Sequence, residues 1–328
     1  MDIESLVSDW GGEIVITRHD RPTGAWIFIA IHSTRLGPAG GDADEALSRP
    51  GGGASGCSSP VRPDDLQVRR AGHSPRRRRS LMQLGGLYYT GPDVGTSSED
   101  MDIVAETGAP YVFGRTVAAE GAGDSGPITA LGVFAGLRVV CECLYGDASL
   151  RGRRVLVQGV GQVGGTLIEH LRAAGAEVLF NDIDEAAIRH FRDDLGLQFV
   201  PSESVYETDC DIFAPCALGG ILNAQTIPRL RCRAVAGGAN SQLGSPEDAE
   251  RLRARGILYA PDYVINVGGA MTIPGIEASG WSRAQAEQQV VQSVQGAMRR
   301  VFEMAAVDGM TMDAAARRIA EEHLRSGP

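Results

Sequence analysis

Residues 153–184, RRVLVQGVGQVGGTLIEHLRAAGAEVLFNDID, decide the fold. VLVQ is a short apolar run of strand composition, and GVGQVGG is too rich in glycine to continue it. The residues that follow put Val163, Leu167, Ile168 and Leu171 on one face of a helix ending at Gly175. AEVLFND then supplies a second strand. Strand, turn, helix and strand in this order form one unit of a parallel α/β sheet. The pattern G-x-G-x-x-G alone is weak. Here Gly159, Gly161 and Gly164 leave a predicted strand and open a predicted helix. Gly159 permits the tight turn, Gly161 lets backbone approach a pyrophosphate, and Gly164 lets the helix pack close to the strand. Bare amides and the positive dipole end of the helix then face the phosphates. Asp182 closes the second strand, where a carboxylate can bind both ribose hydroxyls. Its charge repels a 2′-phosphate, which favours NAD over NADP. Asp184 reads as the N-cap of the helix that EAAIRHF begins.

Working outward, GDSGPITALGVFAGLRVVCECLYG predicts a long helix before this unit. Pro127 falls near its first turn, with apolar positions at 131, 134, 137 and 140. After the unit, CDIFAPC, RAVAGG and ILYAPDYVI predict short strands. Asn240 and Asn266 each stand at such a strand end, followed closely by small residues. Ligands bind beyond the carboxyl ends of strands in open α/β sheets, and an asparagine can meet a carboxamide with both a donor and an acceptor. The alternative for each is a turn asparagine in the left-handed region. Two helices close the chain, one opening at Ser282 with Gln285 in a capping-box pattern, the other at Thr311 with Asp313 in its first turn.

The N-terminal part has a different texture. GEIVITRHD and GAWIFIAIH, within residues 12–32, predict two strands joined by a turn at RPTG. From Gly37 to Ser80 apolar periodicity nearly vanishes, and four arginines stand together at 76–79. That stretch alone reads as disordered or as a basic loop. From Leu81 to Gly108 the sequence reads as a helix end, a short strand, a loop and a helix, with Asp100 and Asp102 as solvated charges.

Composition narrows the chemistry. The chain has 328 residues, a net charge of −10 and 43% hydrophobic residues, which indicates a soluble globular protein of roughly two domains. An acidic chain without aromatics among its basic runs gives no footprint for nucleic acid. All 31 basic residues are arginine, and there is no lysine. That excludes a P-loop lysine, a Schiff-base lysine and a lysine general base. The six cysteines, at 57, 141, 143, 210, 216 and 232, contain no C-x-x-C pair, and no metal site is expected. An acidic N-terminus and the lack of an unbroken membrane-length apolar run point to a cytoplasmic protein that uses no membrane.

Six motifs carry a family resemblance: TGAWIFIAIHSTRLGPAGG at 23–41, LGGLYYTGPDVGTSSEDMDIV at 84–104, GPITALGVFAGL at 126–137, VLVQGVGQVG at 155–164, AGGANSQL at 236–243 and APDYVINVGG at 260–269. Together they resemble the Glu/Leu/Phe/Val dehydrogenase family, closest to its leucine/valine/phenylalanine branch, over about residues 12–41 and 81–324. The resemblance implies a Rossmann-type dinucleotide-binding domain at 127–328. It also implies an N-terminal α/β substrate and oligomerisation domain at 1–126, disrupted at 42–79. It implies NAD-dependent oxidative deamination of a leucine- or valine-like amino acid to a 2-oxo acid and ammonia, in a homo-oligomer. By position, Asp93 matches the family's proton-transfer aspartate and could relay protons during imine hydrolysis. Gly40 and Gly41 match a loop at the substrate pocket, Thr129 a residue near the nicotinamide carboxamide. Asn266 is then read as substrate-binding and Asn240 as cofactor-binding.

The departure from the family is the missing lysine. The family holds two, one in M-T-Y-K and one in G-G-G-K, to bind the substrate carboxylate and to polarise the carbonyl. Residues 42–79 stand in that place. Asp64–Val68 can be encoded so that a one-base shift reads Met-Thr-Tyr-Lys. The same shift can turn 42–46 into Ala-Thr-Arg-Met-Lys and the arginines at 76–78 into glycines. Three family-like readings in one frame and in order predict that 42–79 is an out-of-frame translation. They also predict impaired turnover, with a catalytically dead NAD-binding protein as the alternative.

Overall fold

The computed structural model describes residues 14–20, 25–31, 89–92 and 96–326. The expectations for Gly40, Gly41, Asp93 and the segment 42–79 lie outside the described residues. The chain divides into two compact units, 1–124 and 125–328.

In the first unit, β1 (Ile14–Asp20) pairs antiparallel with β2 (Ala25–Ile31), Asp20 opposite Ala25 and Ile14 opposite Ile31. Both strands fall where β-branched and aromatic residues dominate. Helix α1 (Ser98–Gly108) starts with a capping box, in which the Ser97 hydroxyl accepts from the Asp100 amide and the Asp100 carboxylate accepts from the Ser97 amide. Asp102 is not a free solvated charge. Its carboxylate accepts from the Thr116 amide at 2.9 Å and the Thr116 hydroxyl at 2.6 Å. A partner fourteen residues away leaves no mark in local sequence.

The second unit is a six-stranded sheet, every pairing parallel. Its strands are β3 (Arg154–Gln158), β4 (Glu177–Asn181), β5 (Gln198–Phe199), β6 (Ile212–Pro215), β7 (Ala234–Val235) and β8 (Leu258–Tyr259). Their spatial order is β5-β4-β3-β6-β7-β8. Counted within the sheet, this is the order 3-2-1-4-5-6 of the doubly wound dinucleotide-binding fold, whose direction of winding reverses beside the first strand.

Both faces of the sheet are buried, so its strands are apolar without a polar alternation. Val155, Val157, Val178, Phe180, Ile212 and Ala214 face one core. Leu156, Leu179, Phe213, Val235 and Tyr259 face the other. Helices α2 (Gly126–Tyr145), α3 (Gln162–Ala173) and the long α8 (Arg283–Asp308) contribute to the first core. Helix α2 buries more than the expected stripe. Residues 137 and 140 are buried but 131 and 134 only partly, while Ile128, Val133, Val139 and Cys141 are also inside. Its small residues explain this: a Cβ on Gly132 or Gly136 would meet Ile265 and Val294, so neighbours pack against its backbone. By length and mean hydropathy α2 could also cross a bilayer, but 56% of its most apolar window is buried, as in a core helix.

The remaining α-helices among the described residues are α4 (Glu185–Arg189), α5 (Glu247–Ala254), α6 (Asp262–Ile265), α7 (Gly268–Glu277) and α9 (Met312–Ser326). Helix α4 is capped by the Asp184 side chain on the Ala186 amide, and α8 by the Ser282–Gln285 box, both as read from sequence. ILYAPDYVI is only half strand. Pro261 ends the extended run, and DYVI folds as α6.

Candidate functional site

At the end of β3 the chain reverses at Gly159, whose φ of +87° lies in the left-handed region open to glycine. A Cβ there would come within 2.9 Å of Ala217, just beyond β6. The Gly159 amide donates to the Asn181 carbonyl at 2.8 Å, tying the turn to β4. A Cβ on Gly164 would fall on the Gly159 carbonyl, so α3 can lie against the turn only if residue 164 is glycine. Gly161, the N-cap of α3, is different. It is exposed, and a Cβ there would meet nothing within 4 Å. The opening above Gly161 is the approach that a pyrophosphate needs. No side chain caps α3, so its first amides are left for an incoming anion.

Asp182 follows β4 and binds this turn directly. Its Oδ2 accepts from the Val160 amide at 2.7 Å, and Oδ1 accepts from the Ile183 and Asp184 amides at 2.7 and 2.9 Å. A carboxylate offers about four acceptor positions, so three are already used and Oδ2 keeps room for one ligand hydroxyl. Buried Asn181 holds β4 in place by donating from Nδ2 to the Val200 carbonyl at 2.9 Å and the Ser202 hydroxyl at 3.2 Å.

A second group forms beside the ends of β6 and β7. Asn266 Nδ2 donates to Asn240 Oδ1 at 2.5 Å and to the Gly238 carbonyl at 3.4 Å. Neither asparagine is at a strand end as expected. Asn240 lies in the loop after β7, and Asn266 is the C-cap of α6. The left-handed residue in that loop is Ser241, with φ of +50°, and not an asparagine. Thr129, in the first turn of α2, accepts from the Gly269 amide at 3.1 Å, which fastens the start of α7 three residues beyond Asn266. Fully buried Gln242 donates to the carbonyls of Gly237 and Ala239 at 2.8 and 2.9 Å and shapes the same loop.

Cys216 joins the two groups. Its amide donates to the Gln158 carbonyl at 2.7 Å, and its Sγ accepts from the Gly238 amide at 3.4 Å. Burial pushes its thiol up to about 11, so it stays protonated near neutrality. Sequence reading missed Asn181, Gln242 and Cys216. Asn181 and Cys216 close apolar runs, and that placement could have pointed to them; Gln242 lies in a polar loop that gives no such signal.

Thr129, Asn240 and Asn266 thus share one cluster, and Gly159, Gly161, Gly164 and Asp182 another, both beyond the carboxyl ends of parallel strands. An open cradle at Gly161, free helix amides and a carboxylate with one vacant acceptor position fit a dinucleotide.

Comparison with known proteins agrees with this architecture. Residues 181–326 match the family described as Glutamate/Leucine/Phenylalanine/Valine dehydrogenase. The chain is 36% identical to a leucine dehydrogenase of Thermoactinomyces intermedius, over 99% of this chain and 94% of that protein. It is 38% identical to a valine dehydrogenase of Streptomyces virginiae, over 97% and 95%. In structure it is similar to an L-tryptophan dehydrogenase from Nostoc punctiforme, with a TM-score of 0.74, 32% identity and 99% of both chains covered. On this evidence of sequence and fold, the chain belongs to the Glutamate/Leucine/Phenylalanine/Valine dehydrogenase family of amino-acid dehydrogenases, which use a nicotinamide cofactor.

Proposed function

We propose that this chain is a cytoplasmic, homo-oligomeric, NAD-binding amino-acid dehydrogenase directed at leucine- or valine-like substrates, and that it turns over slowly as written. The observation that carries the proposal is the Asp182 carboxylate bound to the Val160 amide inside the glycine turn. It puts a fixed negative charge beside the site of a ribose, where a 2′-phosphate would be repelled. The relatives named above act on leucine and valine by their names, which supports the aliphatic substrate class.

Bound at this site, NAD would supply the acceptor for the hydride leaving the substrate's α-carbon. The chain's own residues do the rest of the work. The amides of α3 and the Gly161 opening hold the pyrophosphate. Asp182 orients one ribose hydroxyl. The Asn240–Asn266 pair and Thr129 set the plane of the nicotinamide carboxamide. This assigns Asn266 to the cofactor, beside any contact with substrate. Gly40 and Gly41 are proposed to shape the substrate pocket, and Asp93 to move the proton during imine hydrolysis. Residues 1–126 are proposed as the substrate and oligomerisation domain, and 127–328 as the cofactor domain.

The absence of lysine supports slow turnover. Loss of a charge-assisted bond to the substrate carboxylate costs roughly 1.5–3 kcal/mol. Loss of a group that polarises the carbonyl removes a further factor of about a hundred. An arginine from 76–79 could pair with a carboxylate but stays protonated and cannot act as a base. The same observation favours a second reading, an NAD-binding protein without catalysis. A steady-state assay with a panel of L-amino acids and either NAD or NADP separates the two. Slow NADH formation from L-leucine or L-valine supports the dehydrogenase, and none from any amino acid supports the inactive binder.

A further inference from the structure

Asp262 is almost fully buried, 6% exposed, at the first position of α6. Burial raises its carboxyl above the usual range, yet it has no cation for a partner among the described residues. Such a group is costly to keep unless its bonds are needed. Its two bonds have unequal value. Oδ1 accepts from the Tyr259 hydroxyl at 2.6 Å, inside the same short β8–α6 connection. Oδ2 accepts from the Ser241 amide at 2.7 Å, across to the loop after β7.

Ser241 carries the left-handed φ of +50° and directly follows Asn240. A residue other than glycine pays to stay there and needs outside contacts to hold it. The Ser241 carbonyl is held by the Gly220 amide at 2.7 Å, and its own amide by Asp262. On the other side, the Asn266 amide nitrogen donates to the Asp262 carbonyl at 2.8 Å. Asp262 therefore grips both asparagines: the loop of Asn240 by its side chain, Asn266 by its backbone.

We infer that Asp262 is a positioning residue that fixes the Asn240–Asn266 pair for the carboxamide of the nicotinamide ring. It touches no cofactor and acts through the Ser241 backbone. The inference rests on the carboxamide assignment proposed above for Asn240 and Asn266.

Affinities for NADH and for ADP-ribose, which lacks the nicotinamide, test it without any need for turnover. Direct titration follows NADH by its fluorescence, and displacement of NADH gives ADP-ribose. Asn240→Ala tests the assignment itself and should weaken NADH about tenfold while changing ADP-ribose less than about twofold. Asp262→Ala should reproduce that selective loss, and the double variant should lose little more than either single one, because both changes remove the same contact. Should the alanine variant fail to fold, Asp262→Asn serves, with about a threefold loss confined to NADH. If Asn240→Ala keeps its selective effect but the Asp262 variants weaken both ligands equally or neither, the positioning role is wrong. If Asn240→Ala has no selective effect, the carboxamide assignment falls and the inference falls with it.

Discussion

The two ends of the six-stranded sheet are built from different materials. At the carboxyl end, Gly161 stands open while Gly159 and Gly164 let the turn pack tightly beneath it, and Asp182, Asn240 and Asn266 gather there through bonds to backbone and to one another. At the amino end, charge and aromatic surface close on one another. The Arg153 guanidinium lies 3.5 Å above the Tyr145 ring, with Arg233 at 4.9 Å. The Tyr145 hydroxyl donates to Asp211 Oδ1 at 2.6 Å, Asp211 Oδ2 accepts from the Arg154 amide at 2.8 Å, and Arg154 pairs with Glu177 at 3.0 Å. Asp211 also helps push the Tyr145 phenol up to about 12, after burial. One end is built of long side chains that pair with one another across the strands. The other is built of glycines and short polar side chains, which leave room beyond the strands, where ligands of such sheets bind.

Substitutions can break this contrast. The largest effect is expected for Gly164→Val, whose side chain would overlap the Gly159 carbonyl. Overpacking costs about 1–3 kcal/mol, and strain of ~2.7 kcal/mol on the turn lowers NADH affinity about a hundredfold. Fluorescence titration checks it, and unchanged affinity would mean that the turn does not hold the cofactor. Asp182→Asn comes next. Losing a charged acceptor worth about 1.5–3 kcal/mol should weaken NADH tenfold or more and narrow the gap between NAD and NADP. A preference for NAD that survives this change removes Asp182 from cofactor selection. At the opposite end, Tyr145→Phe should cost about 1 kcal/mol of stability in urea unfolding while NADH affinity stays within about twofold. A drop in affinity would show that the two ends are coupled.

How far the sequence was legible follows the same division. The βαβ unit at 153–184 was readable because its strands and helix are long enough to show a pattern, and because its glycines answer to local geometry. Strands β5, β7 and β8 have two residues each, too few for any period. DYVI has β-branched residues yet is helical, because Pro261 and the fit of Asp262 beneath Ser241 override propensity. Asp102 looked solvated because its partner, Thr116, is distant in sequence. Asn240 and Asn266 stand out in the sequence as polar residues among small and apolar ones, but the bond from the Ser241 amide to Asp262 is invisible without three-dimensional contacts.

The smallest effect expected is on pH dependence. The Asp262 carboxyl is raised by burial. Its contribution to stability is therefore complete below the unfolded value of about 3.9 and is lost as pH rises through the folded one. Asp262→Asn cannot ionise, so its stability relative to the parent should improve from acid to neutral pH. Thermal unfolding of both proteins across that range reads the difference, and a gap constant with pH contradicts the buried-charge account.

The proposed function separates a cofactor end that binds NAD from a substrate end that lacks lysine. The most direct measurement compares this chain with a version in which 42–79 is replaced by the family-like reading frame, which supplies the M-T-Y-K lysine, and the G-G-G-K lysine that this frame does not reach is added after the glycines. NADH affinity and NADH formation from L-leucine are measured side by side. The account predicts NADH dissociation constants within about threefold of each other and at least about a hundredfold faster turnover in the restored protein. Equal turnover by the two proteins would contradict it.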